Sequence, residues 1–384
     1  GATANTSITT ADTVNIGTAT RNYGNAAIGA GAVSVNKIVF GAGQTTAVNL
    51  GTAANTMTFG GTAPSVTVSN ASGATLSSII AGTGGLLKDG TATLALTNNS
   101  NTLSGGLTIR NGTVNYGSTP NAVGTAAITM GGTGSTGATL IGSTNGGNFV
   151  RAINVSLPDS GSITLAPNTL GNSATHTGVI TLSGGATLTV RSFFANTSVG
   201  TGTTTVSGGI TGTGSLILEN TGTGAGVTGA TSQIVVSGTT VNHVGTILAR
   251  GDNTGAALTT ISAVIGSNVT TFTKQGVVPV TLSGANTYTG KTTVSLGTLS
   301  FNTIGNVGAA SSALGAPTTV PNGTIDLAGS LTYTGAVASS DRVINLTSAG
   351  ASNTITNSGT GLLTLTGGFT GGSTTLAFRG TQAI

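Results

Sequence analysis

Two stretches of this chain repeat one another and decide its fold. Residues 272–299 read FTKQGVVPVTLSGANTYTGKTTVSLGTL, and residues 82–114 read GTGGLLKDGTATLALTNNSNTLSGGLTIRNGTV. With one inserted residue, the aligned pairs are Lys88 with Lys274, Gly90 with Gly276, Leu96 with Leu282, Asn101 with Asn286, Gly105 with Gly290, and Gly112 with Gly297. We interpret the two stretches as copies of one structural unit. Self-similarity of this length is typical of stacked repeats.

Weaker echoes of the unit occur elsewhere in the chain. They fall near residues 209–218, with Gly-Thr-Gly-Ser-Leu-Ile-Leu from Gly212, and near residues 359–367, with Gly-Thr-Gly-Leu-Leu-Thr-Leu from Gly359. No shift in composition marks a boundary between them. The sequence therefore predicts a single continuous solenoid over residues 1–384.

The runs between the repeats alternate apolar and polar residues. Examples are Ile38 with Phe40, Val48 with Leu50, and Val66 with Val68. Alternation with a period of two indicates short strands with one buried face. Clusters of Gly, Asn, Ser and Thr separate the runs and favour turns. A sandwich, a barrel and a solenoid all fit such strands, and the repeat selects the solenoid.

Composition limits the class of protein. The 384 residues include 65 glycines, 5% charged residues, 3% aromatic residues and no cysteine. A hydrophobic fraction of 37% is high enough to form a core. The apolar residues are mainly Val, Leu, Ile and Ala beside abundant Thr, a mixture that favours strands over helices. We expect an all-β chain with essentially no α-helix and about 13 to 19 coils of roughly 20 to 30 residues.

The second copy carries the motifs of a known repeat. It has Lys-x-Gly from Lys274, Leu-Ser-Gly-Ala-Asn-Thr-Tyr-Thr-Gly over residues 282–290, and Gly-Thr-Leu over residues 297–299. These motifs resemble the passenger-associated transport repeat, or autotransporter-associated β-strand repeat, of bacterial autotransporters and related surface proteins. The match departs at Val277-Val278-Pro279, and the first copy has Leu103 where the second has Tyr288.

The resemblance implies a right-handed parallel β-helix that is extracellular or on the bacterial cell surface. It also implies that the aligned residues and Tyr288 are structural. No residue is assigned as catalytic, cofactor-binding or metal-binding, and no cofactor is expected. Good matches to the repeat cover about 60 residues, so only the composition and the spacing of the predicted strands connect the rest of the chain to the family.

The charged residues are few and scattered along the sequence. Eleven Lys and Arg against seven Asp and Glu give a net charge of +4. A nucleic-acid-binding surface needs several cations in one groove, so we expect no nucleic acid partner. No apolar stretch approaches the roughly 18 residues of a membrane span.

Candidate catalytic groups are also scattered. The carboxylates are Asp12, Asp89, Asp159, Glu219, Asp252, Asp326 and Asp341, and no two are adjacent or one residue apart. A polysaccharide-cleaving β-helix enzyme needs a carboxylate pair close to one bond. The stretch Pro158-Asp159-Ser160-Gly161-Ser162 is similar to a serine-protease motif, but each of its residues has an ordinary role in a turn. We expect His176 and His243 to be exposed or in turns.

Aromatic side chains could stack on sugars if exposed. The candidates are Tyr23, Tyr116, Tyr288, Tyr333, Phe193 and Phe194, and with so few aromatics we expect most to cap or fill the core.

These observations favour a non-enzymatic extracellular structural protein. It would be a surface stalk or adhesive scaffold, or a self-assembling filament subunit. The alternatives are a glycosidase or lyase on a β-helix, or a phage tail fibre. Both ends of a β-helix are open sheet edges, and the charges near them are few, with Asp12 at one end and Arg379 at the other. We therefore expect head-to-tail self-association through the terminal coils. Surface glycans are the other expected partner.

Overall fold

The structure is a computed structural model that describes residues 12–16, 32–142, 148–167, 172–194, 201–222, 231–252, 256–347, 352–372 and 375–384. The chain is nearly all β, with 2% helix, and its parallel sheets form a β-solenoid of about 13 turns. The predicted fold class is thus confirmed. Two compact units divide at residues 169 and 170. A single continuous solenoid over residues 1–384 stays a prediction.

Three stacks of parallel strands form the first unit. One stack contains β1, β3, β6, β9, β12, β14 and β16, a second contains β4, β7, β10, β13, β15 and β17, and a third contains β2, β5, β8 and β11. The strands are β1 Thr13–Ile16, β2 Val33–Val35, β3 Lys37–Phe40, β4 Val48–Leu50, β5 Thr56–Phe59, β6 Ser65–Val68, β7 Ala74–Leu76, β8 Ile79–Gly82, β9 Leu86–Asp89, β10 Thr93–Leu96, β11 Thr102–Leu103, β12 Leu107–Ile109, β13 Asn111–Asn115, β14 Ile128–Gly131, β15 Gly137–Gly142, β16 Ile153–Ser156 and β17 Ile163–Pro167. A 3-10 turn lies at Pro120–Val123.

The second unit is built in the same way. One stack contains β19, β21, β23, β25, β27, β29, β32 and β35, another contains β18, β20, β22, β24, β26, β28, β30, β33 and β36, and β31 pairs with β34. The strands are β18 Ala174–His176, β19 Ile180–Phe194, β20 Thr201–Val206, β21 Ile210–Gly222, β22 Thr231–Val236, β23 Gly245–Gly251, β24 Ala256–Ile261, β25 Val269–Gly276, β26 Val280–Leu282, β27 Thr292–Val294, β28 Thr298–Phe301, β29 Ile325–Leu327, β30 Ser330–Tyr333, β31 Ala338–Ser340, β32 Ile344–Leu346, β33 Ser352–Asn357, β34 Leu363–Leu365, β35 Phe369–Gly371 and β36 Thr375–Gly380. The helix α1 is Val320–Gly323.

The alternating runs become strands whose apolar residues point inward. In β10, for example, Leu94 and Leu96 are buried while Thr93 and Ala95 are half-buried. Successive coils place like residues over one another, as where Val114 pairs with Leu140 and Leu140 with Leu165. Each such buried side chain contributes about 1.5–3 kcal/mol of hydrophobic stabilisation. This stacked column is the core of each unit.

Candidate functional site

The repeat lysines are buried, which is unusual for this residue type. Lys88 and Lys274 have no exposed surface. The ammonium of Lys88 donates to the carbonyl oxygens of Gly90 (2.7 Å) and Asn111 (2.8 Å). That of Lys274 donates to those of Gly276 and Leu296, the latter at 2.9 Å. Each lysine therefore binds its own turn to the following coil, in the same way in both repeat copies.

Burial opposes the charge of both lysines. It lowers the pKa of Lys88 to about 8, with the neighbouring Asp89 acting in the opposite direction, and it lowers the pKa of Lys274 to about 8. The carbonyl oxygens around each ammonium are the groups that compensate for its lost hydration.

The repeat asparagines each join three coils. The side-chain oxygen of Asn101 accepts from the backbone N–H of Ile80 at 2.7 Å, and its amide donates to the carbonyl of Ala122 at 2.6 Å. Asn286 accepts from the N–H of Ile265 at 2.8 Å and donates to the carbonyl of Ala313 at 2.7 Å. The identical geometry supports the predicted structural role of these residues.

The remaining repeat residues lie where their types are needed. Leu96 and Leu282 are in the core. A Cβ on Gly290 would collide with the carbonyl oxygen of Thr270, and one on Gly105 would collide with the backbone of the preceding coil. The turn glycines, Gly90, Gly112, Gly276 and Gly297, have φ values of 77°, 70°, 79° and 73°. The structural role of the whole set remains a proposal that this geometry supports.

Three carboxylates lie in polar ladders that run from coil to coil. Glu219 is the most buried, with 8% of its side chain exposed. It accepts from Nε of Arg191 at 2.7 Å and from Nε of Arg250 at 2.8 Å, and it pairs in register with both. Burial raises the pKa of Glu219, but the two guanidinium groups outweigh it, so the net pKa is lowered.

Asp89 and Asp326 occupy similar ladders. Asp89 forms an ion pair with Arg110 and accepts from the amide of Asn111 at 2.7 Å. Burial raises the pKa of Asp89, but these hydrogen bonds dominate and hold it at about 2. Asp326 binds Lys291 at 2.9 Å and Asn345 at 2.9 Å. These acids link neighbouring coils.

Two further acids bind backbone. Asp159 accepts from the N–H of Gly134 at 2.8 Å, and Asp341 accepts from the N–H of Val307 at 2.8 Å. The segment from Pro158 to Ser162 lies between β16 and β17, as the turn interpretation predicted. Within the described residues, no group of three or more His, Asp or Glu could hold a metal ion.

One pocket of about 310 Å³ opens at the carboxyl ends of β21, β23 and β25. It is lined by Glu219, Thr221, Arg250, Gly251, Asp252, Gln275 and Gly276. Glu219, Arg250 and Gln275 are consecutive register partners. The pocket thus brings together two of the seven carboxylates, Glu219 and Asp252. Glu219 is unsuited to general acid catalysis because its pKa is lowered and both its oxygens already accept hydrogen bonds.

The histidine prediction was wrong. His176 lies in β18, and both His176 and His243 are buried, since 1% and 0% of their surfaces are exposed. Burial lowers the pKa of each to about 4. His176 occupies the last, inward-facing position of β18, whereas His243 lies outside the strands, between Val241 and Val244. Neither ring nitrogen of His243 has a hydrogen-bond partner among the described residues.

The aromatic prediction is confirmed for the tyrosines that the structure describes. Tyr116, Tyr288 and Tyr333 are buried. Each contacts a phenylalanine ring, and the hydroxyl of Tyr288 is 2.8 Å from the hydroxyl oxygen of Thr292. Tyr23 and the side chains of Phe193 and Phe194 lie outside the described residues. The described tyrosines are therefore core residues, unavailable for sugar stacking.

Sequence comparison identifies the repeat. The model of the Passenger-associated-transport-repeat family matches residues 86–115 and 272–301. These ranges coincide with the two copies aligned above, so the resemblance is confirmed. None of the helical segments within the described ranges has the length and apolar character of a membrane-spanning helix.

One curated relative is similar over part of the chain. The Adhesin BmaC autotransporter of Brucella suis biovar 1 (strain 1330) is 52% identical over 97 residues, which are 23% of this chain and 3% of that protein. The chain thus spans only a small part of that relative's length. No solved structure matches the chain. The chain carries two passenger-associated transport repeats, and the comparisons support an adhesin-like surface passenger.

Proposed function

We propose that this chain is a non-enzymatic extracellular scaffold on a bacterial surface, whose work is structural and adhesive. The observation that carries the proposal is that its buried polar side chains form hydrogen bonds and ion pairs between coils. The repeat lysines and asparagines and the acids Asp89, Glu219 and Asp326 bind neighbouring coils, so they stabilise the solenoid. The passenger repeats and the autotransporter adhesin relative support the surface location.

An adhesion assay tests this role. Beads coated with the purified chain are expected to be retained on cell layers and on glycan-coated surfaces, while beads coated with albumin are washed off. Equal retention of both kinds of bead would contradict the proposal. Release of reducing ends from polysaccharides that is abolished by Asp252→Asn would instead establish an enzyme.

Self-association is a second candidate role, which exposed apolar residues on β35 and β36 favour. Phe369 and Phe378 are 40% and 53% exposed, with their ring centroids 5.7 Å apart. Exposed apolar side chains of this kind can pack against a second copy of the chain.

Electron microscopy of the purified chain tests self-association. Filaments of uniform width are expected, and Phe378→Lys should abolish them. Val320→Lys provides the control, because Val320 is 60% exposed at a different place in the unit. Discrete particles at every concentration would contradict this second role.

A further inference from the structure

We propose that the pocket at the ends of β21, β23 and β25 binds one or two rings of a neutral saccharide. The inference rests on the proposed adhesive function, for which it names a ligand class and a site. Its volume of about 310 Å³ is at the lower end of small-ligand sites, which span roughly 300–1,000 Å³. A ligand larger than two sugar rings would extend out of it.

Asp252 is the first feature that points to a ligand. It is exposed, and it has no hydrogen bond or ion pair among the described residues. The carboxylates of Asp89, Asp159, Glu219, Asp326 and Asp341 all accept hydrogen bonds from neighbouring coils. Asp252 instead lines a pocket, where its two oxygens can accept from adjacent hydroxyl groups of one sugar ring.

Arg250 provides donors on the same side of the solenoid. Its Nε and Nη2 groups bind Glu219, and 41% of its side chain is exposed. Because a guanidinium has five N–H donors, the Nη1 group remains to bind a ligand oxygen. Glu219 fixes the orientation of the guanidinium, so little conformational entropy is lost when a ligand binds.

Gln275 and Thr221 complete a mixed set of donors and acceptors. Gln275 follows Arg250 in register on the next strand. Its amide and the hydroxyl of Thr221 can both donate and accept. Neighbouring hydroxyls of a sugar ring have the same dual character. A single metal ion, by contrast, would leave the amide nitrogen and the guanidinium without an acceptor.

The charge of the lining selects a neutral ligand. Among the lining residues, one cation, Arg250, faces two carboxylates, Glu219 and Asp252. Arg191 also pairs with Glu219, so the two arginines and the two carboxylates balance, and this set of groups has no net charge. A sugar acid would place its carboxylate against that of Asp252, and like charges repel.

Saturation-transfer difference NMR tests the site. The neutral probes are lactose, maltose, cellobiose and N-acetylglucosamine, and glucuronate is the anionic sugar for comparison. At least one neutral sugar is expected to receive saturation, and glucuronate is expected to bind more weakly. Asp252→Asn should raise the Kd about tenfold, because a hydrogen bond to a charged group is lost. Gln275→Ala should also raise it.

The control is Asp159→Asn, which makes the same chemical change in the first unit and should leave the Kd unchanged. Absence of binding by every neutral sugar, an unchanged Kd in Asp252→Asn, or tighter binding of glucuronate would overturn the site. Binding that requires calcium would overturn it as well, since the ligand would then be held by an ion. Retention of beads coated with Asp252→Asn would show that adhesion survives without this pocket.

Discussion

At the scale of single residues, the buried lysines and asparagines of the two repeat copies have hydrogen-bond partners on neighbouring coils. Lys274 shows the principle most clearly, because its ammonium lies in the core and donates to carbonyl oxygens of its own turn and of Leu296. The buried carbonyl oxygens depend on the ammonium as a hydrogen-bond donor, and the ammonium depends on them as acceptors. Removal of one member of such a buried set costs more than the set contributes as a whole.

We therefore expect Lys274→Met to lower the free energy of unfolding by about 2–4 kcal/mol, because buried carbonyls lose their donor while the apolar stem is retained. Urea denaturation followed by circular dichroism measures the change. Lys37→Met is the matched control, since Lys37 is an exposed strand lysine and should change stability by less than about 0.5 kcal/mol. Equal effects of the two substitutions would refute the proposed role.

The lowered pKa of buried His243 implies that the free energy of unfolding depends on pH. Burial lowers its pKa to about 4 in the folded chain, against about 6.5 when unfolded, so the folded state favours the neutral ring. Its contribution is complete above pH 6.5 and is lost as the pH falls from about 6.5 to 4, by about 3 kcal/mol at most. His176 shifts in the same direction.

The measurement is the urea midpoint at pH 7 and at pH 4.5. His243→Leu should reduce the loss between these two pH values by about half, because His176 remains. If the variant and the original chain lost equal stability on acidification, the burial of a neutral His243 would be contradicted.

At the scale of elements, the close approach of successive coils restricts side-chain size at the turns. Gly290 is the sharpest case, since a Cβ there would collide with the carbonyl oxygen of Thr270 on the preceding coil. A backbone atom is unable to move aside without breaking the strand pairing beside it. The glycine in the repeat motif is thus explained by packing between coils.

We expect Gly290→Ala to lower the thermal unfolding midpoint by several degrees, equivalent to at least about 2 kcal/mol. Gly372→Ala is the control, because Gly372 is exposed and has no atom within 4 Å of a Cβ. Differential scanning calorimetry compares the two. A Gly290→Ala variant as stable as the original chain would require the coils to lie farther apart than the structure has them.

The sequence predicted elements better than it predicted sites. Alternation and the two repeat copies indicated a solenoid, the resemblance to the transport repeat implied parallel strands, and the alignment of Lys88 with Lys274 identified matching positions. The Arg191, Glu219 and Arg250 ladder was missed because its members are 28 and 31 residues apart, whereas the Asn101 and Asn286 contacts with preceding coils span 21. Because the number of residues per coil varies, the spacing of residues along the sequence did not show which residues pair on neighbouring strands.

At the scale of the whole molecule, the chain has no cysteine, and each of its two units is a stack of parallel coils joined by polar side chains. Glu219 directly follows the weak repeat that ends at Leu218, and this position is the sequence signal nearest to the pocket. Single-sequence reasoning had no signal for Asp252, because its place beside Arg250 and Gln275 depends on the register of three strands.

In-register stacking is the central claim, and a disulfide test measures it directly. Thr273 and Thr293 are register partners on successive coils, and neighbouring strands lie about 4.8 Å apart, within the range that a disulfide can bridge. Because the chain has no cysteine of its own, Thr273→Cys/Thr293→Cys can form only that bond within one molecule. We predict rapid and complete intramolecular oxidation of this pair, and little oxidation of Thr273→Cys/Thr281→Cys, whose cysteines are closer in sequence but lie in different stacks. Preferential oxidation of the second pair would contradict the stacked, parallel solenoid.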